Sequence, residues 1–270
     1  GNLLYNGDFE TGTLEGWEHG LYGLPAELTF EVTTEDVKHG SYAGKLHTTN
    51  AYDESYIGYN KACSFEEYEG YLMIIHAKMA EGSYMEGRMY ALDDNLNYIE
   101  NYRLGYITTS GEWKRFICLL RQFDIASHFK IGLRVKSGSA GGTFYVDDAK
   151  LLPLKSVQSV ELRENVVMTG VTSSTYWRTG LGCIGRFKLY SFLKVTGVSG
   201  TSPTLDTEIQ VYLLDDVYDY KQMSHSQFTT TGEEFIEGEF MEGGRIQIHY
   251  SIGGDSPSFD FKHYLRLIPL

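Results

Sequence analysis

Leu205-Asp206-Thr207-Glu208-Ile209-Gln210-Val211-Tyr212-Leu213 sets Leu205, Thr207, Ile209, Val211 and Leu213 on one side and Asp206, Glu208, Gln210 and Tyr212 on the other. A period of two is the mark of a β-strand with one face in a core and one in water. The pattern recurs in Phe187, Leu189, Leu193 and Val195, in Ile246, Ile248, Tyr250 and Ile252, and in Phe259, Phe261, Leu265 and Leu267. In the first half Phe129, Ile131, Leu133 and Val135 alternate with Lys130, Gly132, Arg134 and Lys136, and the continuous apolar run Tyr71–Ala77 suggests a central strand covered on both faces. Helical periodicity is nearly absent. Strands separated by turns such as Ser137–Gly142, Thr109–Trp113 and Gly253–Ser258 indicate an all-β chain of antiparallel sandwiches.

A chain of 270 residues is long enough for two such units, each burying its own core. The seam is expected at Leu152–Ser156, where Pro153 interrupts strand pairing and a new strand starts at Val157. Neither half shows a short tandem repeat. Net charge is −13, with no basic footprint for a phosphate backbone, so nucleic acid is disfavoured as a partner. The three cysteines, Cys63, Cys118 and Cys183, form neither a disulfide framework nor a metal motif, and the apolar runs around Cys118 and Cys183 point to burial. No apolar stretch is long enough to span a membrane, and the opening residues are expected to belong to a folded motif rather than to a signal peptide.

Residues 2–17, NLLYNGDFETGTLEGW, resemble the opening of carbohydrate-binding modules of the galactose-binding-like jelly-roll class. His39–Leu46, Ser110–Phe116 and Phe144–Leu151 match that family's later landmarks in order, so the resemblance covers residues 1–152. It implies a jelly roll over residues 1–153. It also implies a structural Ca²⁺ tying the termini together, with Glu10, Asp147 and Asp148 converging on the loop at His39 and Gly40. The alternative is that these carboxylates accept hydrogen bonds from turns. Glycan binding needs aromatic faces for pyranose rings and planar polar groups for hydroxyls. Tyr52, Tyr56, Tyr59, Tyr84, Tyr90 and Tyr102 are the candidates because they sit among polar residues, whereas Trp17 and Trp113 read as packing.

Residues 156–270 differ. Phe192–Tyr212 and Tyr250–Phe261 resemble two signatures of a β-sandwich module in tailed-phage virion proteins. That resemblance implies an immunoglobulin-like or jelly-roll sandwich in a structural, oligomeric role. Gly197, Gly200 and Pro203, like Gly253, Gly254 and Pro257, read as tight turns between strands, and Gly180-Leu181-Gly182 with Gly185 reads as another turn. No nucleophile elbow, phosphate loop or metal-binding histidine motif appears. The adjacent pairs Asp93-Asp94 and Asp215-Asp216 point to opposite sides of the chain and cannot converge on one bond. The sequence is therefore read as two consecutive sandwiches without catalytic function. The leading expectation is a virion surface or extracellular protein, homo-oligomeric, with other virion or assembly subunits and a host-surface glycan as partners. The alternatives are a carbohydrate-binding fragment of a secreted glycoside hydrolase and a subunit of a prokaryotic surface filament or layer.

Overall fold

The computed structural model describes residues 1–20, 28–108, 110–123, 125–212 and 221–270; Leu213 and the pair Asp215-Asp216 lie outside these. The strands are β1 Trp17–His19, β2 Thr29–Thr33, β3 Ala43–Thr48, β4 Glu54–Tyr59, β5 Cys63–Ser64, β6 Gly70–Glu81, β7 Tyr84–Leu92, β8 Tyr98–Ile107 and β9 Trp113–Leu120. They continue with β10 His128–Lys136, β11 Gly142–Leu154, β12 Leu162–Val171, β13 Thr175–Cys183, β14 Phe187–Tyr212, β15 Lys221–Ser224, β16 Gly232–Phe240 and β17 Gly244–Pro269. Among the described residues no element is helical, and no helix is long and apolar enough to cross a membrane.

Two sheets face each other in the first half. One runs β1-β4-β10-β7-β8, with β5 on the edge of β10; the other contains β9-β6-β11-β3-β2. Side chains alternate as the sequence requires: Met85, Met89 and Ala91 of β7 and Ile131, Leu133 and Val135 of β10 meet Met73, Ile75, Ala77 and Met79 of β6 in one core. The strand β6 is central in its sheet, between β9 and β11, but only one of its faces is fully buried; Leu72, Ile74 and His76 are half-covered. The opening motif is a packing device. Phe9, which has no exposed surface, stacks on Trp17 at 5.0 Å, and the Trp17 indole N–H donates to the Asn6 carbonyl at 3.1 Å.

In the second half two strands of 26 residues, β14 and β17, pair along almost their whole length. The residues from Phe187 to Val195 of β14 carry β16 on their other edge, and the C-terminal part of β17 carries β12. The remaining halves carry β15 and β13. Each long strand thus serves two layers, and its apolar residues close one core between them, from Leu189 and Leu193 to Ile209, Ile248 and Phe261. The expected turns at Gly197–Pro203 and Gly253–Pro257 are bulges inside these strands, where the register of the β14–β17 ladder shifts. They are symmetrical. Gly200-Thr201-Ser202-Pro203-Thr204-Leu205-Asp206 recurs as Gly254-Asp255-Ser256-Pro257-Ser258-Phe259-Asp260, a repeat hidden by its wide spacing and its divergent flanks. Gly200 and Gly254 both have φ +107°, and a Cβ on either would lie 2.6 Å from the carbonyl oxygen of Ser256 or Ser202 respectively. Thr201 pairs with Asp255 at the local two-fold axis. Only glycine permits so close a crossing.

Two hydrophobic cores result, one built from Leu4 to Leu151 and the other from Val157 to Leu267, with one exchange between them: Leu119 packs into the second and Ile184 into the first. That exchange marks the joint. Leu181, Gly182 and Cys183 pair in parallel with Ile117, Cys118 and Leu119, so β13 extends the sheet of the first half directly into the second. Gly180 and Gly182 therefore lie in a strand rather than a turn. A Cβ on Gly180 would meet the Arg115 carbonyl oxygen at 2.0 Å, and one on Gly182 would meet the Cys118 sulfur at 2.9 Å. Both Cys118 and Cys183 are buried in this joint, and burial pushes both thiols up. Pro153 does not interrupt pairing. It closes the edge of β11 opposite Tyr71, and the next strand begins at Leu162 instead of Val157.

Candidate functional site

The outer face of the β1-β4-β10-β7-β8 sheet is polar and aromatic because every second residue of its strands points away from the core. Register places Glu54, Lys136 and Tyr84 in one row, and Tyr56, Arg134, Glu86 and Tyr106 in the next. Gly58, Gly132, Arg88 and Arg103 form a third row, and Lys130, Tyr90 and Asn101 a fourth. Gly132 leaves room for the Tyr90 ring, which a Cβ there would meet at 2.9 Å. Tyr90 and Tyr56 meet edge to face at 5.9 Å, with the guanidiniums of Arg88 and Arg134 over the Tyr56 ring at 5.8 and 5.6 Å. The Tyr84 and Tyr106 rings lie 5.3 Å apart.

Two carboxylates organise the cations. Glu54 accepts from Arg134 at 2.7 Å and lies 2.8 Å from the Lys136 ammonium, and against the opposing effect of burial these partners hold it below the usual carboxylate range. Glu86, only 2% exposed, accepts from Arg88 at 2.6 Å and from Arg245 at 2.8 Å, with Arg103 at 3.7 Å. Arg245 comes from β17 in the second half and stacks over Tyr106 at 4.3 Å and Tyr212 at 4.8 Å. The result is a polar cavity of about 330 Å³ lined by Glu54, Tyr84, Glu86, Arg103, Tyr106, Arg134, Lys136 and Arg245, one wall of which belongs to the second half.

Of the tyrosines singled out in the sequence, Tyr84 lines this cavity, and Tyr56 and Tyr90 lie on the same face, largely buried beneath their neighbours. Tyr59 and Tyr102 point the other way, into the core. They are 5% and 3% exposed, and the Tyr59 hydroxyl is tied to the backbone of Tyr5, so neither ring offers a face to a ligand. The register of each strand decides this, since it sets both rings on the inner side of the sheet. Tyr52 is 60% exposed on the loop before β4, where its N–H donates to the Gly138 carbonyl. Tyr106, Arg103, Arg134 and Arg245 were not singled out. The Tyr106 parity is set by a bulge at Glu86/Gly87, and Arg245 arrives from a distant strand.

The five residues expected around an ion border one loop, Lys38–Tyr42, in two groups: Glu10 beside Gly40, and Asp147 and Asp148 beside His39. Glu10 Oε1 accepts from the N–H groups of Ser41 and Tyr42 at 2.8 and 2.9 Å, and a Cβ on Gly40 would touch the Glu10 carboxylate. Asp147 accepts from the N–H groups of Lys38 and His39 at 2.8 and 2.9 Å. Asp148 lies 2.7 Å from the Lys150 ammonium, with His76 and His39 at 3.3 and 3.6 Å. Two carboxylates thus clamp the loop from Lys38 to Tyr42 through its amides. Among the described residues no group of three or more His, Cys, Asp or Glu side chains is arranged to hold a metal ion.

One constellation has the connectivity of a nucleophilic triad. Ser191 Oγ lies 2.8 Å from His225 Nε2, and His225 Nδ1 lies 2.8 Å from Glu234. Ser191 is fully buried in the second core, however, and its oxygen also meets His263 Nε2 at 2.6 Å, while His263 Nδ1 reaches the Tyr250 hydroxyl at 2.7 Å. A nucleophile needs a reacting atom within about 3 Å, and here His225 and His263 occupy that space. The chain of polar groups satisfies itself inside the core, as buried polar groups must. The pair Asp93-Asp94 lies at a turn, where Asp93 accepts from the N–H groups of Asn95 and Asn97.

The sequence matches no protein-family model and no curated protein. Among solved structures, the chain is similar to a family 61 carbohydrate-binding module in complex with β-1,4-galactotriose, at 20% identity over 57% of this chain and 99% of that one, TM-score 0.41. It is also similar to a tandem of two family 22 carbohydrate-binding modules from Paenibacillus barcinonensis, at 12% identity over 100% and 98%, TM-score 0.42. A third is the enzymatically active domain of a tailspike protein of bacteriophage CBA120, at 13% identity over 57% and 21%, TM-score 0.45.

The buried histidines make stability depend on acid. Burial pushes the His263 pKa down to about 3, with neighbouring His225 adding to the effect, and burial also lowers His225. Above the unfolded value of 6.5 neither state carries the proton, and the full stability is present. Below it only the unfolded chain takes the proton, so each such histidine costs about 1.4 kcal/mol per pH unit until its folded pKa is reached. The melting temperature of the second core is expected to fall as pH drops from 6.5 towards 3. In His263→Phe it should be lower at neutral pH, because the Tyr250 hydroxyl loses its partner, and should decline less steeply in acid. An unchanged slope in calorimetric scans would rule this out.

Proposed function

We propose that this chain binds glycans without catalysing a reaction, through the outer face of the β4-β10-β7-β8 sheet. The observation that carries the reading is the 330 Å³ cavity in which tyrosine rings stand beside charged, hydrogen-bonding side chains. Aromatic faces next to fixed polar groups are what a pyranose ring and its hydroxyls require. Glycan-array screening of the whole chain should find ligands, and Tyr84→Ala should weaken them at least about tenfold, or 1.4 kcal/mol. Full retention of binding in Tyr84→Ala would move the site elsewhere, and silence across the array would sink the proposal.

The second half we read as the part that holds the protein in a larger assembly, in a virion or at another extracellular surface. What supports this is a row of aromatic side chains on its outer face, Phe235, Phe192 and Tyr264, with Phe235 57% and Tyr264 42% exposed beside a cavity of about 440 Å³. The occupant proposed is a second copy of the chain. Light scattering should give a multimer that Phe235→Ser dissociates; a wild-type monomer at high concentration contradicts the assembly role.

A structural Ca²⁺ at the clamp of Glu10, Asp147 and Asp148 belongs to the same reading, since a hard cation would complement carboxylates that are otherwise paired with amides, histidines and a lysine. Added calcium should raise the melting temperature of the first half and chelator should lower it again. Identical melting curves would leave the amide–carboxylate bonds as the whole of the clamp.

A further inference from the structure

Resting on that glycan-binding reading, we infer that the cleft at the open end of the β9–β13 ladder is a second sugar subsite, so that one oligosaccharide is read across the joint by both halves of the chain. The cleft follows from how the strands part. Their parallel pairing covers only Ile117–Leu119 and Leu181–Cys183. On the N-terminal side of that pairing β9 stays with β6, where Trp113 pairs with Lys78, while Thr175–Arg178 of β13 pair with β17 instead. Between the parting strands, with β12 as a third wall, lies a cavity of about 240 Å³.

Its lining sets a few fixed polar groups beside aromatic and aliphatic carbon, the composition that suits a ligand rich in hydroxyls. Thr108 comes from the first half, and Glu164, Asn165, Tyr176, Trp177 and Arg178 come from the second. Glu164 Oε2 accepts from the Gly180 N–H at 2.9 Å, which anchors the carboxyl to the joint. Burial pushes its pKa up to about 7, against the lowering effect of the Gly180 amide, Arg115 and Lys114. Near neutrality part of the population therefore carries a proton, and the group can donate to a hydroxyl oxygen as well as accept from one. Arg178 is placed by the rings of Tyr106 and Tyr176, 4.9 and 5.0 Å from its guanidinium, and its Nη1 donates to Thr108 Oγ1 at 3.2 Å. Its Nε–H is buried with no acceptor among the described residues, which leaves a donor for a ligand oxygen.

The two cavities adjoin. Tyr106 lines the 330 Å³ cavity, while Arg178, which stacks on that ring, lines the cleft, as do Ile107 and Thr108, the next residues along β8 and beyond it. A ligand longer than one cavity reaches the other over the Tyr106–Arg178 stack. The joint is held by paired backbone and by apolar side chains exchanged between the cores, so the second subsite is in place before binding. Each sugar residue that enters it adds contacts at small ordering cost.

The test is calorimetric titration of the full chain with disaccharides and hexasaccharides of the β-1,4-linked galactose, glucose and xylose series, and with the same two lengths of the tightest array glycan. In at least one series the hexasaccharide should bind about tenfold or more tightly than the disaccharide. Asn165 is an exposed residue of the cleft, where Asn165→Ala removes a planar polar group and Asn165→Trp adds an obstructing ring. Each variant should weaken the hexasaccharide about threefold to tenfold, leave the disaccharide unchanged and retain the melting temperature. Tyr84→Ala should weaken both lengths. Equal affinity for the two lengths, or wild-type hexasaccharide binding in both Asn165 variants, overturns the second subsite and leaves glycan binding standing. No binding to any saccharide overturns both.

Discussion

The joint between β9 and β13 is the constraint on which the rest of the molecule depends. Three residues on each strand pair in parallel, and that short ladder turns two sandwiches into one continuous sheet. It forms only because Gly180 and Gly182 have no side chain where the Arg115 carbonyl and the Cys118 sulfur must lie. Buried Cys118 and Cys183 fill the joint as small apolar groups, and Leu119 and Ile184 each pack into the opposite core. A few backbone bonds are weak on their own, but here they are backed by apolar burial on both sides.

Rigid joining has a consequence for chemistry. Arg245 lies on β17, which belongs to the second core, and yet it completes the coordination of Glu86 in the first half. Arg178 and Arg245 both stack on Tyr106, at 4.9 and 4.3 Å, so a single ring from β8 is gripped by two guanidiniums from the far side of the joint. The cavity therefore exists only in the assembled chain, which is why neither half alone can be expected to reproduce it. Pre-organisation of this kind lowers the ordering cost that a flexible site would meet on binding.

The second half rests on a different device. Two long strands cross at a local two-fold axis, and the glycines at Gly200 and Gly254 let their backbones approach. Bending each strand through a bulge makes it serve two layers, so the core needs few separate elements. The polar chain from Tyr250 through His263, Ser191 and His225 to Glu234 runs through that core with its groups paired in sequence. Its arrangement resembles a catalytic relay, but its burial makes it part of the packing.

Strand alternation along the sequence was sufficient for the all-β class and for most core residues, because each depends on side-chain parity. Tyr84, Tyr56 and Tyr90, singled out for their polar neighbours in sequence, are brought to one face by the sheet register. Tyr59 and Tyr102 were misjudged because a polar neighbourhood in sequence says nothing about which side of a strand a ring takes. The bulged glycine segments read as turns for a related reason: a positive φ is compatible with either, and only the partner strand distinguishes them. What tertiary structure alone decided was the parallel joint, the crossing of β14 with β17, and the convergence of Arg245 on Glu86. These arise between residues far apart in the chain, and their physical cause is close backbone approach and shared burial, which no local pattern encodes.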